Sequence, residues 1–214
     1  LLHNLELPYQ AVTSTDLYLT HYLNDSANDP VMNRIRAQKL RNSEEDKVKI
    51  FFVPSYLNGD DGVFNMPYYD LLVGMDLTAF PSYYEPWGYT PLESLAFKVP
   101  TITTTLAGFG LWVKEHYNMN HPGIEVIHRE DGDASNVATA IAEWVKNYTQ
   151  VGETEMQKDR DNAKDVSRIA LWDNLINYYK QAYTIALNQV SVRLKDLPAN
   201  MNESVSYIEK QLTV

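Results

Sequence analysis

Four short apolar runs, each closed by turn-forming residues, constrain this chain more than any other feature. "VKIFFVP" (48–54), "LTAFPS" (77–82), "PTITT" (100–104) and "GIEVIH" (123–128) have the length of strands and lack the alternation of a sheet with one wet face. Stretches of helical periodicity lie between them, at 67–75, 91–98, 108–117 and 134–148. Strands apolar on both sides that alternate with helices predict an α/β fold, with a parallel sheet covered on both faces.

The flanks read differently. Residues 1–30 are polar and broken by Pro8, Asn24, Asp25 and "NDP", which predicts a loop-rich entry. Asp29 then suits the cap of a helix over 30–42, with Val31, Ile35 and Leu40 at helical spacing. From Glu153 to Val190 the strand signal disappears, and Trp172, Leu175, Ile176, Tyr179, Tyr183 and Ala186 fall on one helical stripe, expected to pack on a core. The tail beyond Arg193 has no strong period and is expected to be extended. The expected organisation is a domain over 1–150, C-terminal helices over 151–190 and a tail over 191–214.

A length of 214 residues suits one large domain or one domain with a helical appendage. A formal net charge of −10 argues against non-specific attraction to nucleic acid or anionic membrane, so a phosphate-bearing ligand must be held by local features. No cysteine is present, which removes disulfides and thiolate metal sites and fits a cytoplasmic setting. Neither an apolar run of spanning length nor a signal peptide is found, and the chain does not begin with Met, so the true N-terminus is expected to lie upstream.

Chemistry concentrates in "PSYYEPWGYTPLESLAF" (81–97), where Glu85 and Glu93 stand eight positions apart around one glycine, two aromatics and two prolines. The stretch follows a predicted strand, at whose carboxyl end open α/β sheets bind ligands. Thr90 and Pro91 suit the cap and first turn of a helix. The amides of Gly88, Tyr89 and Thr90 would then face a diphosphate with the positive end of the helix dipole, and Gly88 would let the backbone approach closely. Glu85 in the loop is free to face a sugar, and Glu93 on the helix suits paired ribose hydroxyls. No Lys or Arg occurs between Ile50 and Phe97, so basic groups on the phosphates must come from elsewhere.

"FPSYYEPWGYTPLES" followed by "PTITTTLAGFG" resembles the glycogen synthase family, retaining glucosyltransferases of the GT-B fold, in its animal and fungal form. The likeness extends to "THYLNDSANDPVMNRIRAQKLRN", "DKVKIFFVPSYLN" and "YYDLLVGMDLTAFPS", and more faintly to "GIEVIHRE" and the helices to about residue 188. It implies a Rossmann-like donor-binding domain and transfer of glucose with retention from a nucleotide-glucose, UDP-glucose by the animal and fungal likeness, to an α-1,4-glucan acceptor. Glu85 matches the family's active-site glutamate and Glu93 its ribose-binding one. Gly88, Tyr89 and Thr90 match the diphosphate cradle, and Tyr69 a tyrosine that stacks on the base.

The resemblance implies no metal and no further cofactor, and leaves a homo-oligomer open. It also implies an N-terminal GT-B domain and a basic pair on the donor phosphates, neither matched here, so the chain is expected to hold half a site. A non-catalytic glucan- or partner-binding fragment derived from such an enzyme is the alternative. Animal and fungal members carry an arginine-rich regulatory helix. The matching stretch here mixes Lys158, Arg160, Lys164 and Arg168 with Glu153, Glu155, Asp159, Asp161 and Asp165. No net positive field for a sugar phosphate is expected from it.

Other signals read as structural. "DGD" at 131–133 precedes an amphipathic helix and is expected to be a turn and cap. It fails as a calcium loop, since Asn136 stands where Gly is needed and Ala142 where Glu is needed. His116 and His121 lack the spacing of a helical zinc pair and are expected at the surface.

Overall fold

The computed structural model describes residues 18–117 and 123–195, and the chain forms two compact units, Leu1–Asp76 and Leu77–Val214. Its class is the α/β expected, with a parallel sheet and helices. Among the described residues no helix is long and apolar enough to cross a membrane.

In the first unit the helix begun by Asp29 is α1, Pro30–Ala37, and the Asp29 carboxylate accepts the Met32 amide at 2.8 Å. It stops short of the expected residue 42, because Lys39 and Asn42 turn the chain with φ of 58° and 57°. The buried face is Met32 and Ile35, packed with Tyr18, while Val31 is exposed. The run at 48–54 is not a strand but makes a single parallel bridge, Phe52 to Leu19. Part of the cause is local: the Asn42 side chain accepts from the Ile50 amide and donates to its carbonyl, at 2.9 and 2.7 Å, taking groups that a further strand would pair. Ahead of α2 (Tyr68–Leu72), buried Asp61 collects the amides of Val63 and Phe64 at 2.9 and 2.8 Å. Burial raises its pKa, but the backbone donors together outweigh that and hold it below the ordinary value.

The second unit is a three-stranded parallel sheet in the order β1 (Thr78–Phe80), β2 (Thr101–Thr104), β3 (Ile124–Ile127). Thr78 pairs with Thr101, and Thr101 with Ile124. α3 (Tyr89–Ala96) and α4 (Gly108–His116) are the crossovers. α5 (Ala134–Tyr148) and α6 (Glu153–Ile169) follow β3. One cluster joins Leu95, Phe109 and Val113 to Ile124, Val126, Ala163 and Val166. The other joins Ile102 and Ile127 to Val137, with Ile141 and Trp144 against it. The sheet is therefore covered on both faces, with α5 on one and α3, α4 and α6 on the other.

β2 carries three threonines and is fully buried, which succeeds because the hydroxyls are bonded. Thr101 Oγ1 donates to Val99 O at 2.9 Å and meets Thr78 Oγ1 at 2.9 Å, and Thr78 Oγ1 meets Ser94 Oγ at 2.7 Å. Thr104 Oγ1 donates to Ser82 O at 3.0 Å, beyond the end of β1.

α6 forms ion pairs at i, i+3, Glu155 to Lys158 at 3.4 Å and Asp165 to Arg168 at 3.3 Å. Asp161 pairs with Lys98 at 2.7 Å. The four-residue spacing shows only like charges, whereas three-residue and tertiary neighbours pair them. Asp133 takes the cap position of α5, but its carboxylate makes no cap bond. His116 is at the surface, and His121 lies outside the described residues. α7 (Trp172–Lys195) departs from expectation: Trp172, Tyr179 and Tyr183 are exposed, and the core clusters of this unit include no α7 residue.

Asp159 on α6 is buried, and its pKa is raised by burial first and by Glu155 second, against a weaker opposing effect of Lys158. The folded state thus holds this proton more tightly than the unfolded chain, so stability falls as pH rises from the unfolded value of about 3.8 through the raised one. Asp159→Asn removes that dependence. Its melting temperature relative to wild type should increase between pH 4 and pH 7; a difference that stays flat over that range would contradict the assignment.

Candidate functional site

The loop from Pro81 to Gly88 leaves β1 and crosses the carboxyl edge of the sheet, and its backbone is latched to the segment after β2. Glu85 forms an isolated parallel bridge with Ala107. Its amide donates to Leu106 O at 3.2 Å, its carbonyl accepts from Gly108 N at 3.0 Å, and Trp87 O accepts from Phe109 N at 2.6 Å. The Glu85 side chain stays exposed while its backbone is held. A carboxylate on a fixed backbone, open to solvent at the carboxyl end of a parallel sheet, is available to a ligand.

Of the helices that begin at this edge, α3 and α4 adjoin the Glu85 loop, and their amides have different fates. At α4, Gly108 and Phe109 spend theirs on the loop carbonyls. At α3 no side chain caps the first turn, and the cap is Gly88 with φ 104°. The cap expected at Thr90 therefore lies two residues earlier, because a left-handed residue is needed to turn the loop into the helix and glycine adopts it without strain. Tyr89, Thr90 and Pro91 form the first turn, with Tyr89 and Thr90 exposed. An uncapped helix start suits an anion. Glu93 follows on the same helix and is half-buried.

The six residues singled out by sequence thus separate. Glu85, Gly88, Tyr89, Thr90 and Glu93 are brought together within one loop and helix start, whereas Tyr69 belongs to the first unit, on α2, with its ring 5.4 Å from that of Tyr68. Trp87 is engaged in packing: its ring lies 5.6 Å from each of Phe109 and Trp112. Among the described residues no cluster of His, Cys, Asp or Glu could hold a metal.

Arg129 was not foreseen. It stands two residues past the end of β3, and its Nη1 donates to Pro81 O at 3.1 Å and Ser82 O at 3.2 Å. The available signal was a basic residue at the carboxyl end of a strand, on the edge where the Glu85 loop emerges.

The family model described as glycogen synthase matches residues 10–211. The chain is 30% identical over 174 residues to "Glycogen (starch) synthase isoform 1" of Saccharomyces cerevisiae, covering 80% of this chain and 25% of that protein. It is 33% identical over 172 residues to the Neurospora crassa glycogen (starch) synthase, covering 80% and 24%, and 34% identical over 167 residues to that of Caenorhabditis elegans, covering 77% and 25%. The chain spans about a quarter of the length of these curated relatives.

The latch leaves no room at Gly108, where a Cβ would stand 2.1 Å from Pro86 O. Gly108→Ala should cost about 1–3 kcal/mol in denaturant unfolding, because backbone rather than a flexible side chain must move. A loss below about 0.5 kcal/mol, within the range of ordinary surface substitutions, would show that the loop is not latched in this way.

Proposed function

The chain belongs to the glycogen synthase family, and on that premise we propose that it is the donor-binding part of a glucosyltransferase. In this reading the enzyme transfers glucose, with retention, from UDP-glucose to an α-1,4-glucan in the cytoplasm. The observation that carries the reading is the pairing of an exposed Glu85 on a fixed backbone with the uncapped start of α3.

The roles assigned rest on the family likeness and on chemistry. The amides of Gly88, Tyr89 and Thr90 receive the diphosphate, whose charge the helix dipole favours. Glu93 accepts from the ribose hydroxyls, and Tyr69 stacks on the base. As the bond from glucose to diphosphate lengthens, positive charge grows on the sugar, and the Glu85 carboxylate stabilises it without forming a covalent intermediate. The acceptor surface and the cations missing between Ile50 and Phe97 are assigned to an N-terminal GT-B domain outside this chain. Two observations support that assignment: the coverage of about a quarter of each relative and the exposed aromatic stripe of α7. The functional boundaries proposed are 1–150 for donor binding, 151–190 for the helices and 191–214 for the tail.

Glu85→Gln in the full-length protein should reduce turnover by about a hundredfold or more while UDP affinity changes by less than about threefold, since the charge is lost only where the transition state needs it. Steady-state transfer assays and nucleotide titration check both. A loss of turnover smaller than about tenfold would remove Glu85 from the role.

A further inference from the structure

Arg129 is only 5% exposed, yet among the described residues no carboxylate pairs with it. Its partners are the Pro81 and Ser82 carbonyls and the Tyr83 ring, whose centroid lies 3.7 Å from the guanidinium carbon. Nε is buried with no hydrogen-bond partner. Burying an unpaired guanidinium is costly, and an apolar side chain could fill the same volume without that cost. The contacts it makes indicate what the charge achieves.

Each contact falls on one of the two segments that form the latch. On one side are Pro81, Ser82 and Tyr83, the exit of the chain from β1 towards Glu85. On the other is Thr105, whose Oγ1 accepts from the Arg129 amide at 3.0 Å and donates to the Arg129 carbonyl at 3.4 Å. Thr105 immediately precedes Leu106 and Ala107, to which Glu85 is bridged. A charged donor on two carbonyls, with its guanidinium carbon over the next ring, restricts the path of residues 81–83 more than one neutral hydrogen bond would.

We infer that Arg129 is a positioning residue for Glu85: it fixes the exit of the loop from β1, and so where the Glu85 carboxylate stands against the donor sugar. The inference rests on the role of Glu85 proposed above. It differs from a phosphate-binding role for Arg129, which would place the guanidinium on the donor rather than on the protein's own carbonyls and ring.

Arg129→Ala and Arg129→Lys in the full-length protein test it by two independent readouts. In amide hydrogen exchange, Arg129→Ala should speed exchange at Glu85, Gly108 and Phe109 by about tenfold or more and leave the β2 and β3 amides within about twofold of wild type. In transfer assays its kcat should fall by about tenfold or more with the donor KM within about threefold, as for a misplaced catalytic group. Arg129→Lys, which keeps the charge and one donor, should recover part of both.

Unchanged loop exchange would overturn the inference. So would exchange that rises evenly through β2 and β3, or a raised donor KM with kcat kept. If the wild-type full-length protein elongates no glucan, the proposed function fails, and exchange alone decides the inference: faster exchange confined to the loop supports it, and any other pattern overturns it.

Discussion

Gly108 and Phe109 donate their amides to the carbonyls of Glu85 and Trp87, and the rest of the candidate site depends on that exchange. It continues the parallel pairing of β1 with β2 beyond the strands, into the loop that carries Glu85. It also satisfies two amides of α4 that a helix start leaves without intrahelical partners. The approach is so close that position 108 has no space for a side chain. No side chain caps either α3 or α4; with the Gly108 and Phe109 amides of α4 committed to the protein, the start of α3 is the one that follows Glu85.

The neighbouring chemistry serves the same loop. Thr104 and Arg129 both donate to Ser82 O, and Trp87 is wedged edge-on to Phe109 and beside Trp112. Hydroxyls on β2 that look misplaced in a buried strand thus bond to β1 or to the loop that extends it. Rigidity of the backbone with exposure of one carboxylate is the combination a binding site on a loop requires.

Much of this was legible in the residues, for identifiable reasons. Three of the four apolar runs became β1, β2 and β3, and the helix expected at 134–148 is α5, because runs buried on both faces and strong amphipathic periods carry their signal locally. The run at 48–54 did not become a strand in part because the Asn42 side chain, eight residues before Ile50, takes that residue's ladder groups, a local side-chain bond that apolarity does not encode. Gly88 as the cap was hidden by the better-known capping residue at Thr90, and Arg129 by its distance in sequence from the loop it holds. The α7 stripe was read as core because its period is that of a packed helix; period reports that a face is apolar, and not what covers it.

We propose that the start of α3, and not that of α4, receives the diphosphate while Glu85 keeps its backbone latch. The most direct measurement is a crystal structure of the full-length protein with UDP-glucose bound. Phosphate oxygens are expected about 3 Å from the amides of Gly88, Tyr89 or Thr90, with the hydrogen bonds from Glu85 to Leu106 and from Gly108 to Glu85 intact. Phosphate seated on the Gly108 and Phe109 amides, with the loop released from them, would contradict it.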